Sequence, residues 1–160
     1  MTIAFPDEKF RRCVLLYHDS DLDGIISEEE ALSVTRLNTW RQSISSLEGI
    51  QYFKNLEILN CYDSQLTTLD VSGCPALTEL WCNNNQLTTL DVSKNTALTK
   101  LWCDNNQLTT LDVSKNTSLT ELQCYENQLT TLDVSGCTAL TELNCNDNQL
   151  TSLDVSGCTA

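Results

Sequence analysis

The sequence is short of almost everything that a catalytic centre or a membrane anchor needs. It holds one histidine, His18, so no serine–histidine or cysteine–histidine pair can be assembled away from that residue, which more simply ends a helix. No glycine-rich phosphate loop occurs. No apolar run approaches the ~18–20 residues of a membrane span. The opening "MTIAFPDEKF" lacks the basic start and apolar stretch of a secretory signal. On this reading the protein is extracellular or at a cell surface if a leader has been removed, and cytoplasmic otherwise. Positive charge is also scarce: 9 Lys+Arg stand against 22 Asp+Glu, for a formal net charge of −13. Such a field repels phosphate backbones and anionic lipid, which sets aside nucleic acid and membrane surfaces as partners. A cation, or a protein with a basic patch, fits better. The imbalance is uneven, with 6 basic and 9 acidic groups in residues 1–54 but 3 and 13 in residues 55–160.

Cysteine is abundant, at 9 in 160 residues, yet no C-x-x-C pair exists to suggest zinc. The spacing explains why a disulfide framework is also disfavoured. From residue 55 the chain repeats every 21 residues: "NLEILNCYDSQLTTLDVSGCP" (55–75), "ALTELWCNNNQLTTLDVSKNT" (76–96), "ALTKLWCDNNQLTTLDVSKNT" (97–117), "SLTELQCYENQLTTLDVSGCT" (118–138) and "ALTELNCNDNQLTSLDVSGCT" (139–159). A short fixed period implies a solenoid in which each unit buries its apolar side against the next. Within a unit the pattern is L-x-x-L-x-C-x-x-N-x-L, and "ISSLEGIQYFKNL" (44–56) reads as a degenerate first turn.

That pattern resembles the leucine-rich repeat, with cysteine where leucine is usual, over about two thirds of the chain. The repeat length is similar to that of short bacterial repeats of the internalin-like and Bacteroides surface type. The resemblance implies an α/β fold: a right-handed leucine-rich-repeat solenoid with a parallel concave sheet. In such a fold Leu80 and Cys82 point inward, while Glu79, Trp81 and Asn83 face outward. Cys61, Cys82, Cys103, Cys124 and Cys145 then form one inward ladder of reduced thiols, since free cysteine packs as a small hydrophobe. Asn85, Asn106, Asn127 and Asn148 are placed to satisfy backbone groups as the chain leaves the strand. Cys74, Cys137 and Cys158 share a column with Asn95 and Asn116, which argues for a packing or turn role. Asp70, Asp91, Asp112, Asp133 and Asp154 form an acidic column best read as turn caps, with a row of cation sites as the alternative.

Ahead of the repeats, "DSDLDGIISEEE" (19–30) packs six carboxylates into twelve residues. Upstream, "FPDEKFRRCVLLYH" reads as a helix with Pro6 in its first turn and with Phe10, Cys13, Val14 and Tyr17 on one face. Downstream, "SEEEALSVTRL" reads as a second helix with Ser27 as N-cap. The intervening D-x-D-x-D-G-x-I-S-x-x-E resembles the EF-hand calcium loop. The resemblance implies calcium held by Asp19, Asp21 and Asp23, the Ile25 carbonyl, Ser27 and a bidentate Glu30, with Gly24 at the sharp turn. Ser27-x-x-Glu30 is equally a capping box. With no sister loop, Ile26 is expected to pack onto the first repeat coil. Residues 1–43 are thus expected to form a helical EF-hand-like cap, and 44–160 the solenoid: a partial turn at 44–54, then five repeats over 55–159. Trp40, Ile44, Leu47, Ile50 and Phe53 are candidates for the seam.

Function in such scaffolds resides on exposed, variable positions. Three outward columns run Ile58, Glu79, Lys100, Glu121, Glu142; Asn60, Trp81, Trp102, Gln123, Asn144; and Tyr62, Asn83, Asp104, Tyr125, Asn146. Lys100 is expected to pair with its flanking glutamates. The candidate ligand-binding residues are Tyr62, Trp81, Trp102, Asp104, Gln123 and Tyr125, aromatics being frequent hot spots. The expected activity is non-enzymatic binding of a protein or peptide. A glycan bound by the same aromatics, or a purely architectural spacer, are the alternatives. The array stops at "VSGCTA" without a polar cap, so a longer array or self-association through the open end is also expected.

Overall fold

The computed structural model describes residues 3–160. Two helices lead into six three-residue strands: α1 (Glu8–His18), α2 (Glu28–Ser33), then β1 (Arg36–Asn38), β2 (Ile58–Asn60), β3 (Glu79–Trp81), β4 (Lys100–Trp102), β5 (Glu121–Gln123) and β6 (Glu142–Asn144). The strands form one parallel sheet in sequence order. Its register follows the repeat, pairing Leu80 with Leu101 and Leu101 with Leu122. Each coil therefore stacks on the last without slip, and the middle residue of each strand from β1 to β5 is buried. Leucine, valine and cysteine from the coils and apolar side chains of the N-terminal region make one continuous core. Burying such columns is what holds a solenoid together, since no single coil has a core of its own.

Polar ladders run beside the apolar ones. Asn106 donates from Nδ2 to the carbonyls of Cys82, Cys103 and Asp104, and accepts at Oδ1 from the Leu87 N–H. Asn85, Asn127 and Asn148 repeat the arrangement one coil away each time. The column where cysteine alternates with asparagine is one of equivalent donors. Asn95 donates to the Val71 and Cys74 carbonyls, and the Cys137 thiol reaches the corresponding carbonyls of Val113 and Asn116. All nine cysteines are free. Burial pushes the Cys61 and Cys124 thiols up to about 12 and those of Cys82 and Cys103 well above the ordinary value, so the ladder stays protonated. Its last rung, Cys145, is only half-buried. Each acidic-column aspartate accepts the N–H of the serine two residues on, at 2.8–2.9 Å, which is the turn-capping role. Where the chain leaves each strand, one residue per coil takes a left-handed φ: Asp63, Asn84, Asn105, Glu126 and Asp147. Asparagine and aspartate tolerate that conformation, and Glu126 is the exception.

The N-terminal region departs from expectation in several places. Helix α1 is capped by Asp7, with Pro6 just outside it. Its buried face holds Phe10, Cys13 and Val14, whereas Tyr17 is 69% exposed. Helix α2 ends at Ser33, and Arg36 and Leu37, read from sequence as helical, form β1. The reason lies in Val34-x-x-Leu37-x-Thr39, a variant of the repeat motif whose three side chains are all buried as their repeat counterparts are. The sheet thus begins on the N-terminal side of residue 44. Ile44, Leu47, Ile50 and Phe53 are buried in the seam as expected, but Trp40 is 42% exposed and stacks on Tyr62 instead. One carboxylate ties the helix to the solenoid: Asp7 caps α1 through Oδ1 and accepts from Ser45 N, Ser45 Oγ and Ser46 N through Oδ2. Gly49, at φ +106°, lies so close to Phe5 that any Cβ would collide with its ring.

Candidate binding face and acidic loop

The exposed face of the sheet carries the outward columns in the order that the repeat dictates. Trp81 and Trp102, opposite one another on β3 and β4, stack with ring centroids 5.2 Å apart and planes at 15°. Pairs of this kind contribute about 0.5–1.5 kcal/mol beyond their buried area. The indole N–H of Trp102 donates to Glu121 Oε1 at 2.8 Å, and Gln123 donates to Glu142 Oε1 at 2.8 Å. Lys100 lies between Glu79 and Glu121 in the register but forms no ion pair among the described residues, where only Arg11–Glu8 and Arg41–Asp63 do. The expected pairing is thus not formed, and Glu121 Oε1 accepts from the indole instead.

Asp104 is 2% exposed and accepts from Asn105 Nδ2 at 3.2 Å, and its carboxylate raises the pKa of the Tyr125 phenol with help from desolvation and the charge of Glu126. Two atoms on this face, Trp81 Nε1 and Asn83 Oδ1, have no hydrogen-bond partner among the described residues. A second aromatic pair, missed from sequence, extends the face toward β1: Trp40 stacks on Tyr62 at 5.5 Å and 10°, with the Arg41 guanidinium 5.5 Å from the Trp40 ring centre. The signal was present, since Trp40 follows Val34-x-x-Leu37-x-Thr39 at the spacing that Tyr62 holds in its own repeat. Tyr62, Trp81, Trp102, Asp104, Gln123 and Tyr125 therefore lie on one side of a continuous sheet, and Trp40 joins them.

The acidic loop between α1 and α2 brings together three of its expected ligands. Asp19, Asp21 and Asp23 each offer one carboxylate oxygen, all within 4.8 Å of one another. The loop is held by its own side chains: Asp19 Oδ2 accepts from Gly24 N at 2.9 Å, Asp21 Oδ1 from Asp23 N, and Asp23 Oδ1 from Ile25 N. Gly24 takes φ +82°, the left-handed turn expected of it. Asp19 Oδ1 is buried and has no hydrogen-bond partner among the described residues. The Asp21 carboxyl accepts the Asp23 N–H, which lowers its pKa, yet partial desolvation and the charges of Asp23, Glu30 and Asp19 leave it raised.

Glu30 does not join the three aspartates. Its Oε2 accepts from Ser27 N and Oγ, completing the capping box, while Oε1 accepts from Ser20 N and Oγ. The bonds from Ser27 and Ser20 hold its carboxyl at about 2. The expected bidentate ligand is thus engaged with two serines, one of them Ser27, itself an expected ligand. Ile26 is 1% exposed, and its carbonyl accepts from Ile3 N, so the N-terminal segment takes the place of a sister loop.

Known proteins share this architecture. A family model described as Leucine Rich repeats (2 copies) matches residues 75–116 and 117–157, just over half the chain. Internalin J of Listeria monocytogenes serotype 4b (strain F2365) is 44% identical over 68 residues, 42% of this chain and 7% of that protein. Among solved structures, the functional domain of InlJ from L. monocytogenes, described as including a cysteine ladder, matches at 39% identity with a TM-score of 0.78, over 96% of this chain and 39% of that one. The internalin InlF of the same species matches at 25% identity and 0.84, over 96% and 46%. A leucine-rich-repeat protein of Leptospira interrogans matches at 27% and 0.73, over 76% and 33%. The chain spans less than half the length of each of these relatives.

Proposed function

The chain belongs to the leucine-rich-repeat family, and on that premise we propose that it is a non-enzymatic, calcium-stabilised module that binds a protein or peptide through the exposed face of its sheet. The observation that carries the reading is the pair of half-buried, stacked indoles at the centre of a face that also holds Asp104, Gln123 and Tyr125. Large, rigid aromatic surface beside hydrogen-bonding groups is the composition of an interface hot spot.

Calcium enters as a structural ion. Asp19, Asp21 and Asp23 hold it, and its charge relieves the mutual repulsion that raises the Asp21 carboxyl. The buried, partnerless Asp19 Oδ1 supports a cation there. Glu30 completes the set only by exchanging serine hydrogen bonds for the ion. Alanine at both Trp81 and Trp102 tests the binding face. Partners captured by the native protein should be lost while the chain still folds, its stability lowered by the stacking contribution and the half-buried area of the two indoles. Capture unchanged by the double substitution refutes the reading and leaves the architectural spacer.

A further inference from the structure

A groove of about 920 Å³ runs between α1 and the first strand of the sheet. Its charge is opposite to that of the molecule. Lys9 and Arg12 line it from the helix and Arg36 from β1, while no aspartate or glutamate contributes to its walls; His18 also lines it, but burial lowers its pKa and keeps it neutral. The two ion pairs among the described residues use Arg11 and Arg41, leaving Arg12 and Arg36 without a carboxylate partner. In a chain of net charge −13 this is a concentrated exception. The groove is also unusually apolar. Leu16, Tyr17, Leu22 and Trp40, four of the eight large apolar side chains that the described residues leave exposed, all line it.

Its floor is the free edge of the sheet. Thr35 and Thr39 direct their backbone groups to β2, so the alternation of the strand turns those of Arg36 and Asn38 outward. The Cys13 thiol takes the Asn38 carbonyl at 3.3 Å. An exposed strand edge is a template for an extended main chain.

The geometry points to a second docking site, a groove between α1 and β1 that receives an extended peptide carrying acidic and apolar residues. The strand edge aligns the peptide backbone, Arg12 and Arg36 meet its carboxylates, and Leu16, Tyr17 and Leu22 cover its apolar side chains. The site borders the sheet face but does not depend on Trp81 or Trp102 binding anything. Replacing both by phenylalanine leaves Trp40 as the sole reporter among three tryptophans.

In that background the probe is a fluorescein-labelled peptide of alternating glutamate and leucine. It should bind by anisotropy, shift Trp40 emission and weaken with added salt. Arg12→Glu with Arg36→Glu should weaken binding by about tenfold. Leu16→Ser, at a side chain that is 73% exposed and outside the core, should also weaken it while leaving the melting midpoint unchanged. No binding, equal binding of a control peptide in which lysine replaces each glutamate, or affinity indifferent to these substitutions overturns the proposal. A Trp40 shift with phosphatidylserine vesicles but not with the peptide overturns it as well, and marks a membrane-facing surface instead.

Discussion

Replacing Asn106 by alanine tests whether the asparagine ladder is part of the scaffold or a by-product of repetition. The side chain is 9% exposed and lies within 3.2 Å of three carbonyl oxygens while accepting one backbone N–H at 2.9 Å. An amide carries two protons, so two full donated bonds are shared among the three carbonyls, and the third bond is the one accepted. Alanine removes all three and leaves the Leu87 N–H without its partner, whereas each carbonyl keeps another donor: Asn85 Nδ2 for Cys82, Asn127 Nδ2 for Cys103 and the Asn84 N–H for Asp104. At about 1 kcal/mol for each bond lost, plus part of the 1–3 kcal/mol penalty for that one dry N–H, the cost comes to about 3–5 kcal/mol. Asn148 makes the same bonds but sits half-buried in the last coil, where water can replace them, and should cost about 1–2 kcal/mol. Asn106→Asp keeps the shape but turns a carboxylate toward three carbonyls, so it should be no more stable than alanine. The assay is urea unfolding followed by circular dichroism and tryptophan fluorescence together, because a solenoid can unfold coil by coil. A cost below about 1 kcal/mol at Asn106, or an aspartate variant as stable as the native chain, would refute the reasoning.

The link between cap and solenoid gives another prediction. Asp7→Ala removes an N-cap and the anchor for Ser45 and Ser46, and should lower stability by about 1–2 kcal/mol in the same assay, with Asp7→Asn recovering part of it. The acidic column predicts a pH dependence. Hydrogen bonds from Ser93, Ser114 and Ser135 hold Asp91, Asp112 and Asp133 below the ordinary 3.8. The unfolded chain therefore takes up protons first, so this contribution is complete above 3.8 and is lost as the pH falls through the lower folded values. Unfolding midpoints of native chain and the Asp91→Asn, Asp112→Asn, Asp133→Asn variant should differ at neutral pH and converge as the pH falls through the lowered folded values; a gap that stays constant refutes the assignment.

The repeat made most of the solenoid legible, because a 21-residue period leaves little freedom in register once one coil is placed. The reading of Cys74, Cys137, Asn95 and Asn116 as one packing column needed only their interchange, and the structure supplied the shared carbonyls as the reason. What escaped notice lacks the repeat signature or acts at long range. Strand β1 hides behind valine and threonine where leucine and cysteine stand elsewhere. Asp7 reaches Ser45 and Ser46 across nearly forty residues, and no local pattern announces such a bond. In the loop, the structure brings Asp19, Asp21 and Asp23 together, while capping and coordination ask for Glu30 at the same spacing. The hydrogen bonds that Glu30 accepts from Ser20 belong to neither motif and were not legible in the sequence.

The calcium proposed at Asp19, Asp21 and Asp23 would clasp the N-terminal lid over the leading edge of the stacked coil. Thermal melting of the native chain in saturating calcium and in chelator, beside an Asp19→Asn, Asp23→Asn variant, tests it directly. At about 100 times the dissociation constant the ion should add about 2.7 kcal/mol, which raises the midpoint by about 5–10 °C at this chain length, and the variant should show no rise. Equal midpoints with and without calcium, or a rise that survives in the variant, would contradict it.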